Sequence, residues 1–405
     1  MRSNRSARIV RWLPLITVFA IVVAACGGTE DTATTAAPTA TTAVAATTAA
    51  AETTAAAETT AATETTESGT TAAGEAYRVA LIYPGTADDL SWSNAWFDGA
   101  KAAMENNPNI EVESVELLND PAAVVQQGSA FASEGFDLIL IAHGAMVEPA
   151  ITLAEQFPDV LICLAPYHPT EGEEQADNLC WVDPAQHNAN FIAGALSALV
   201  SETGHIASLN GFAFPGLTRQ PEAFVLGARC VDPDITFTQQ YIQTWTDTGI
   251  AKAAAQSEIA GGADVILAAT DSAVFGIIEA AEEATDQVWV IPSYYESQSL
   301  SPEKILTSAI HGLTFTSQSI IEAAANGEIG AAEFFEFDAT NNPEIDAPLY
   351  DNVRDLLSEE DLATYEGIVE SVRSGAITIP DETAGDNPVG AEGSGSTIDP
   401  AAIGC

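Results

Sequence analysis

The chain has 405 residues, 58 of them acidic and only 12 basic, for a formal charge of −46 at neutral pH, and 47% of it is hydrophobic. That imbalance argues against nucleic acid and anionic lipid headgroups as partners, because both carry negative phosphate charge. It favours a neutral or cationic small-molecule ligand over an anionic one.

Residues 1–25 read as a signal peptide. Arg2, Arg5, Arg8 and Arg11 precede an apolar run of 14 residues from Trp12 to Ala25. That run is shorter than the roughly 18–20 residues a membrane-spanning helix needs. It ends in Val23-Ala24-Ala25-Cys26-Gly27, which resembles a bacterial lipobox with Cys26 as the lipid acceptor. An ordinary secretory signal with an incidental cysteine is the plainer alternative. Cleavage removes four arginines and no acid, taking the charge from −46 to −50. Residues 26–76 are mostly Thr, Ala and Glu, with no Lys, Arg or aromatic residue. Such a segment cannot bury enough apolar surface to offset its ordering entropy, which predicts a disordered tether. As a coil its ends lie on the order of 35–40 Å apart.

From Tyr77 to Pro380 strand and helix signals alternate. RVALIY predicts a strand, Asn94–Asn106 a helix, VESVELL a strand and PAAVVQQGSAFAS a helix with Pro121 in its first turn. FDLILIA, DVLICLA and NLCWV predict three more strands, with the helix MVEPAITLAEQF between the first two. A long helix follows from about Pro184 to Val200. The beat then restarts with strand HIASLN, a helix over Gln220–Cys230, strand ITFTQQYI, helix IAKAAAQSEIA and strand ADVILAA. Helix SAVFGIIEAAEEA, strands VWVIPS and ILTSAIH, and helix FTSQSIIEAAANG complete it. Repeated βαβ units imply parallel sheets, and the restart implies an α/β fold of two doubly wound lobes.

With Cys26 lipidated, Cys163, Cys180, Cys230 and Cys405 remain, allowing three pairings. Cys163 and Cys180 lie close together in strand-like runs, which favours that pair, with Cys230–Cys405 next. No CxxC, HExxH or His/Cys cluster appears, so neither a metal nor a cofactor is expected. GxSxG, GxxxxGK[ST] and a helix-opening GxGxxG are absent too, and the chain does not read as an enzyme.

In doubly wound sheets ligands bind beyond the carboxyl ends of the strands. That directs attention to Thr86–Trp96, His143–Glu148, Gly211–Arg219, Trp245–Gly249, Thr270–Ser272 and Ser293–Gln298. Among them Trp92 is set beside Ser91, Ser93 and Asn94, a mixture that a core does not need and that suits a site gripping a flat molecule. Trp96, one helical turn on, faces either cleft or core. Asp271 either accepts bonds from ligand or caps the next helix. Trp245, His143 and Glu296 are weighed in the same way against packing, a structural histidine and a solvated acid.

The segments DLSWSNAWFDG, GARCVDPDI, GGADVILAATDSAVFGIIEAA, KILTSAIHG and SGAITIP follow in this order over roughly Tyr77 to Pro380. In order and spacing the chain resembles the basic membrane protein family, which includes purine nucleoside receptors. The resemblance implies a type I periplasmic-binding-protein fold and a lipid-anchored, extracytoplasmic solute-binding component of an ABC importer at the cell membrane. The implied partners are a small-molecule ligand, a permease pair and a cytoplasmic ATPase. It also implies that Trp92 stacks on a purine-like ring. Glu148, Tyr294 and His311 stand where the family places its sugar-binding Asp, Asp and Lys. Those exchanges point from a nucleoside toward a free nucleobase or another flat heterocycle. A ligand sensor feeding a membrane receptor is the alternative.

The expected lobes are 77–183 with 312–335 and 184–311 with 336–380, followed by a flexible tail, 381–405. The chain is expected to cross between lobes near Asp183, His311 and Asn352.

Overall fold

The computed structural model describes residues 76–167, 169, 176–213, 215–330, 332–380 and 398–405. The expected signal peptide, the lipid acceptor Cys26 and the tether lie outside the described residues.

The first lobe opens with strand β1 (Tyr77–Ile82), helix α1 (Trp92–Asn106), β2 (Ile110–Val115), α2 (Pro121–Ser133) and β3 (Leu138–Ala142). Helix α3 (Val147–Gln156), β4 (Leu161–Ala165) and β5 (Leu179–Asp183) complete this run. The second lobe runs through α4 (His187–Val200), β6 (His205–Asn210), α5 (Pro215–Val231), β7 (Thr236–Tyr241) and α6 (Thr248–Ala260). It continues with β8 (Val265–Ala269), α7 (Val274–Glu283), β9 (Trp289–Tyr294) and β10 (Ala309–His311). Helix α8 (Leu313–Ala325) and β11 (Phe334–Glu336) return to the first lobe. Then β12 (Ile345–Asp346), α9 (Asp351–Arg354) and α10 (Glu359–Arg373) close the second.

Two six-stranded sheets result, ordered β11-β5-β4-β3-β1-β2 and β12-β10-β9-β8-β6-β7. All pairings are parallel except β10 with β12. Helices cover both faces, so central strands such as LILIA and VILAA are buried at every position and read as unbroken apolar runs. Alternation along β1 feeds two cores. Val79 and Leu81 pack with α1 and α8, while Ala80 and Ile82 pack with α2 and α3. Cys163 and Cys180 are partners across β4 and β5 and form a disulfide, Cα–Cα 4.6 Å.

Some elements differ from their sequence signals. Helix α5 starts at Pro215 and runs through Pro221, not from Gln220. The strand expected over ILTSAIH shrinks to Ala309–His311, with Ile305 making an isolated bridge to Val290. The tail expected over 381–405 ends in structure. Pro400–Ile403 form a 3-10 turn, and Cys405 is bonded to Cys230 at the end of α5, so the disulfide fixes that end against the lobe.

Three segments connect the sheets. The first leaves β5 at Asp183 and the second leaves β10 at His311. The third runs between Glu336 and Ile345, upstream of the Asn352 region the sequence pointed to. Polar side chains tie these segments together. Asn342 Nδ2 donates to the Gly312 carbonyl at 2.9 Å, and the Ala339 N–H donates to Asn188 Oδ1 at 3.1 Å. The Phe337 N–H donates to the Asp183 carbonyl at 2.8 Å. Gly312 sits at φ +63° with Asn342 pressed against it, a place where a Cβ would lie 2.3 Å from Asn342 Nδ2. Asp183 has no solvent exposure, and its carboxylate accepts both terminal nitrogens of Arg219 from α5, Nη1 at 2.6 Å.

Helices α4 and α5 cross at backbone contact. A Cβ on Gly194 would lie 1.8 Å from the Phe224 carbonyl oxygen, and one on Gly227 would lie 1.9 Å from that of Phe191. Neither obstacle is a flexible side chain, so the helices themselves must part to admit one. Gly194→Val is expected to destabilise by about 1–3 kcal/mol or more, read as a lower urea midpoint at unchanged slope. Gly367→Ala, inside α10 with open space around it, is expected to gain about 0.5–1 kcal/mol in the same assay. Equal effects of the two would show that the crossing is not tight.

Candidate functional site

The loop after β1 folds back on the start of α1. Asp89 Oδ1 accepts the N–H groups of Ser91, at 2.9 Å, and Asn94, at 3.1 Å, and so serves the helix amides that Ser91 leaves uncapped. Ser93 Oγ accepts the Gly85 N–H at 2.9 Å and is nearly fully buried, so it fastens the loop and is not free to bond a ligand. Ser91 points across to the other sheet, where its Oγ donates to Asp271 Oδ1 at 2.7 Å. Asp271 follows β8. A second link joins the Tyr295 hydroxyl, after β9, to Asp98 Oδ2 in α1 at 3.4 Å.

Between these strand ends lies a cavity of about 250 Å³. Its first-lobe wall is Asp89, Leu90, Ser91 and Asn94; the second lobe adds residues from Thr270–Phe275 and Pro292–Leu300. Asp89, Asp271 and Glu296 line it, and no Lys, Arg or His does. Burial pushes the Asp271 carboxyl up to about 7; the Ser91 hydrogen bond opposes that rise and the nearby Asp89 charge adds to it. Asp89 is raised as well, by burial, against the pull of its backbone hydrogen bonds. Among the described residues no group of three or more His, Cys, Asp or Glu side chains is arranged to hold a metal ion.

Trp92 opens α1 beside this cavity without lining it. Its Nε1 donates to the Ala142 carbonyl at the end of β3 at 2.7 Å. Its ring meets Trp96 at 5.5 Å and the edge of Tyr294, from the other sheet, at 6.2 Å. The indole therefore sits in the seam between lobes, 8% exposed. Trp96 is core, fully buried in the α1–α8 packing, with its carbonyl accepting from Ser317 Oγ at 2.7 Å. The next turn of the helix faces α8, away from the cleft.

Tyr294 ends β9 at φ +85°, buried between Trp92 and His311. Burial, then Asp271 and Asp89, hold its phenol well above the ordinary range. His311 is a hinge residue. It is fully buried with Nε2 3.0 Å from Asn190 Oδ1, and burial depresses its ring to about 3. Glu296 does line the cavity, with Oε1 accepting the Tyr350 hydroxyl at 2.8 Å and the Gln298 N–H at 2.9 Å.

The other candidates stand apart from the cavity. Glu148 is exposed in the first turn of α3, where its charge suits the helix N-terminus. His143 is half-buried after β3, its ring depressed to about 4 by burial. Trp245 packs over Gly211, and its ring lies 5.3 Å from Phe212. The strand-end stretches expected from the sequence take in Asp89, Thr270, Ser293 and Tyr295 without giving them individual roles, and they miss Phe275; all five line the cavity. Each lies at or just beyond a strand end that topology marks, apart from Phe275 in the first turn of α7. Asp89, Thr270 and Ser293 are of common residue types and carried no signal of their own.

A family model described as ABC transporter substrate-binding protein PnrA-like matches residues 76–382. A Haloferax volcanii protein, provisionally named as the glucose-binding protein of an ABC transporter, is 27% identical over 75% of each chain. A purine-binding protein of Brucella abortus is 25% identical over 50% of this chain and 57% of its own. The crystal structure of a solute-binding protein of an ABC transporter system from Aeropyrum pernix superposes with a TM-score of 0.64 at 17% identity. That match covers 75% of this chain and 93% of the other, and it places the fold among the type I periplasmic binding proteins. Two facing parallel-sheet lobes with a cavity at their strand ends, together with a family match over most of the chain, lead to one assignment: the chain belongs to the Bmp family of PnrA-like ABC transporter substrate-binding proteins, which bind a solute and are not enzymes.

Proposed function

We propose that this protein captures a small planar heterocycle of nucleobase size on the outer face of the cell membrane and delivers it to its permease. The observation that carries this reading is the cavity at the strand ends of both lobes, closed by the Ser91–Asp271 bond. Its volume, about 250 Å³, is just below the roughly 300–1,000 Å³ usual for ligand pockets, which suits one ring system better than a ring plus sugar. Phe275 and Tyr295 offer flat apolar surface in the lining, and Trp92 lies just behind Ser91. Parting of the lobes would break the Trp92–Tyr294 contact and present the indole. A ligand that touches both lobes then favours the closed arrangement by its differential affinity. The lipid anchor at Cys26 and the tether that holds the lobes off the membrane belong to this proposal and rest on the sequence alone.

A monosaccharide-sized polyol is a second reading, favoured by the hydroxyls and carboxylates of the lining. A thermal-shift screen of nucleobases, nucleosides and monosaccharides separates the two. A nucleobase is expected to raise the melting temperature by mass action. Trp92→Ala should abolish that rise, and Trp92→Phe should keep the fold and part of the response. Sugar hits that ignore both substitutions would sink the planar reading.

Proton linkage supplies another test. In the folded protein Asp271 titrates near 7, against 3.8 for an ordinary aspartate. Its protonation therefore stabilises the fold below about pH 4, and that contribution is lost as pH rises through about 7. His143 and His311 act oppositely. Their depressed values mean that stability falls as pH drops below about 6.5. Comparison with Asp271→Asn isolates the carboxylate. Relative to the parent, the variant's melting temperature is expected to rise by roughly 2–4 °C between pH 5 and pH 8. A pH-independent difference would refute the placement of Asp271 in a desolvated seam.

A further inference from the structure

The capture reading leaves open what charge the solute bears, and the cavity wall bears on that directly. Three carboxylates line it and no basic side chain does. The protein's own hydrogen bonds leave part of the capacity of Asp271 and Glu296 for a ligand, whereas Asp89 is taken up by the amides of Ser91 and Asn94 and by Ser93. Asp271 engages one oxygen with Ser91, and Glu296 engages one oxygen with Tyr350 and Gln298. Two of the hydroxyls in the same lining stand out. Thr270 is 2% exposed and Ser293 is 7% exposed, yet neither Oγ1 of Thr270 nor Oγ of Ser293 has a hydrogen-bond partner among the described residues. Buried hydroxyls are rarely left unmatched, so a group that completes them belongs in this cavity.

We infer that the solute is a planar cation, its positive charge spread over ring or exocyclic N–H groups as in an amidinium or an aminopyridinium, held by Asp271 and Glu296 with the charge of Asp89 beside them. This rests on the capture reading and adds the sign of the ligand's charge. Bringing Asp89 and Asp271 together in a cavity this small, with no base to balance them, disfavours both ionised forms. Burial raises both acids, and for Asp271 the charge of Asp89 adds to it. A neutral donor relieves it only in part. A cation offers the carboxylates charge-assisted bonds, roughly twice as strong as neutral ones, while its remaining N–H groups reach Thr270 and Ser293. A flat delocalised cation also stacks on Tyr295 and Phe275, which a compact ammonium does not. An anionic solute would meet three like charges and no counter-charge.

Benzamidinium and benzamide have nearly the same planar shape and differ by one charge. Titrated calorimetrically against the full chain at pH 8 in about 0.15 M salt, where surface attraction is screened beyond roughly 8 Å, they form the test. Benzamidinium is expected to bind at least about tenfold more tightly than benzamide. Asp271→Asn should erase that preference and Glu296→Gln should narrow it. Glu328→Gln, an exposed acid remote in sequence from the cavity wall, should leave it intact. Equal binding of the two probes overturns the inference. So does a preference that survives Asp271→Asn, or one that Glu328→Gln reduces as much. If a neutral nucleobase binds in a Trp92-dependent way while benzamidinium gains nothing, the charge inference fails and the capture reading stands. If no planar probe of either charge binds, both fail.

Discussion

Asp183 is a carboxylate with no path to solvent, placed at the point where the chain first leaves one sheet for the other. Such a group is tolerated only when matched by charge and hydrogen bonds, and Arg219 supplies the match with both terminal nitrogens. Only 12 of the 405 residues are Lys or Arg, so placing one of them here is notable in itself. The pair couples the last residue of β5 to α5 of the second lobe. The Phe337 N–H meets the same residue's carbonyl and brings in the third crossing. Losing one partner of such a pair costs about 3–5 kcal/mol, because the other is left buried and unbalanced. The way the two sets of strand ends face each other follows from this junction.

What faces across the cavity is mainly acceptor. Asp89 has a structural duty as well, since it satisfies amides at the start of α1. The same carboxylate therefore organises the loop that carries Ser91 and Trp92 and contributes charge to the cavity. Tyr294 also serves twice, filling the seam against Trp92 and resting on His311 of the hinge. Core, seam and hinge are thus in succession from Trp96 through Trp92 and Tyr294 to His311.

The sheets were legible in the sequence because strands buried on both faces leave uninterrupted runs such as LILIA and VILAA, set at βαβ spacing. Strands β11 and β12, three and two residues long, leave no such run, and for that reason the third crossing was placed too far downstream. The site was legible as a set of strand ends, less so as residues. His311 resembled a ligand contact because it stands where the family has a Lys; its partner Asn190 lies 121 positions away, and only the fold brings the two together. Trp96 shares the composition of Trp92 but turns inward, a distinction set by where α8 packs. Asp89 looked like one acid among many, since its work is local capping geometry.

The glycine crossing of α4 and α5 has a mechanical corollary. Helix α4 starts among the asparagines that tie the connecting segments, and α5 carries the arginine that grips Asp183. Pressed backbone to backbone at Gly194 and Gly227, the two cannot slide or shear independently. They form one stiff unit rooted at the pivot, so the two helices turn together when the connecting segments flex.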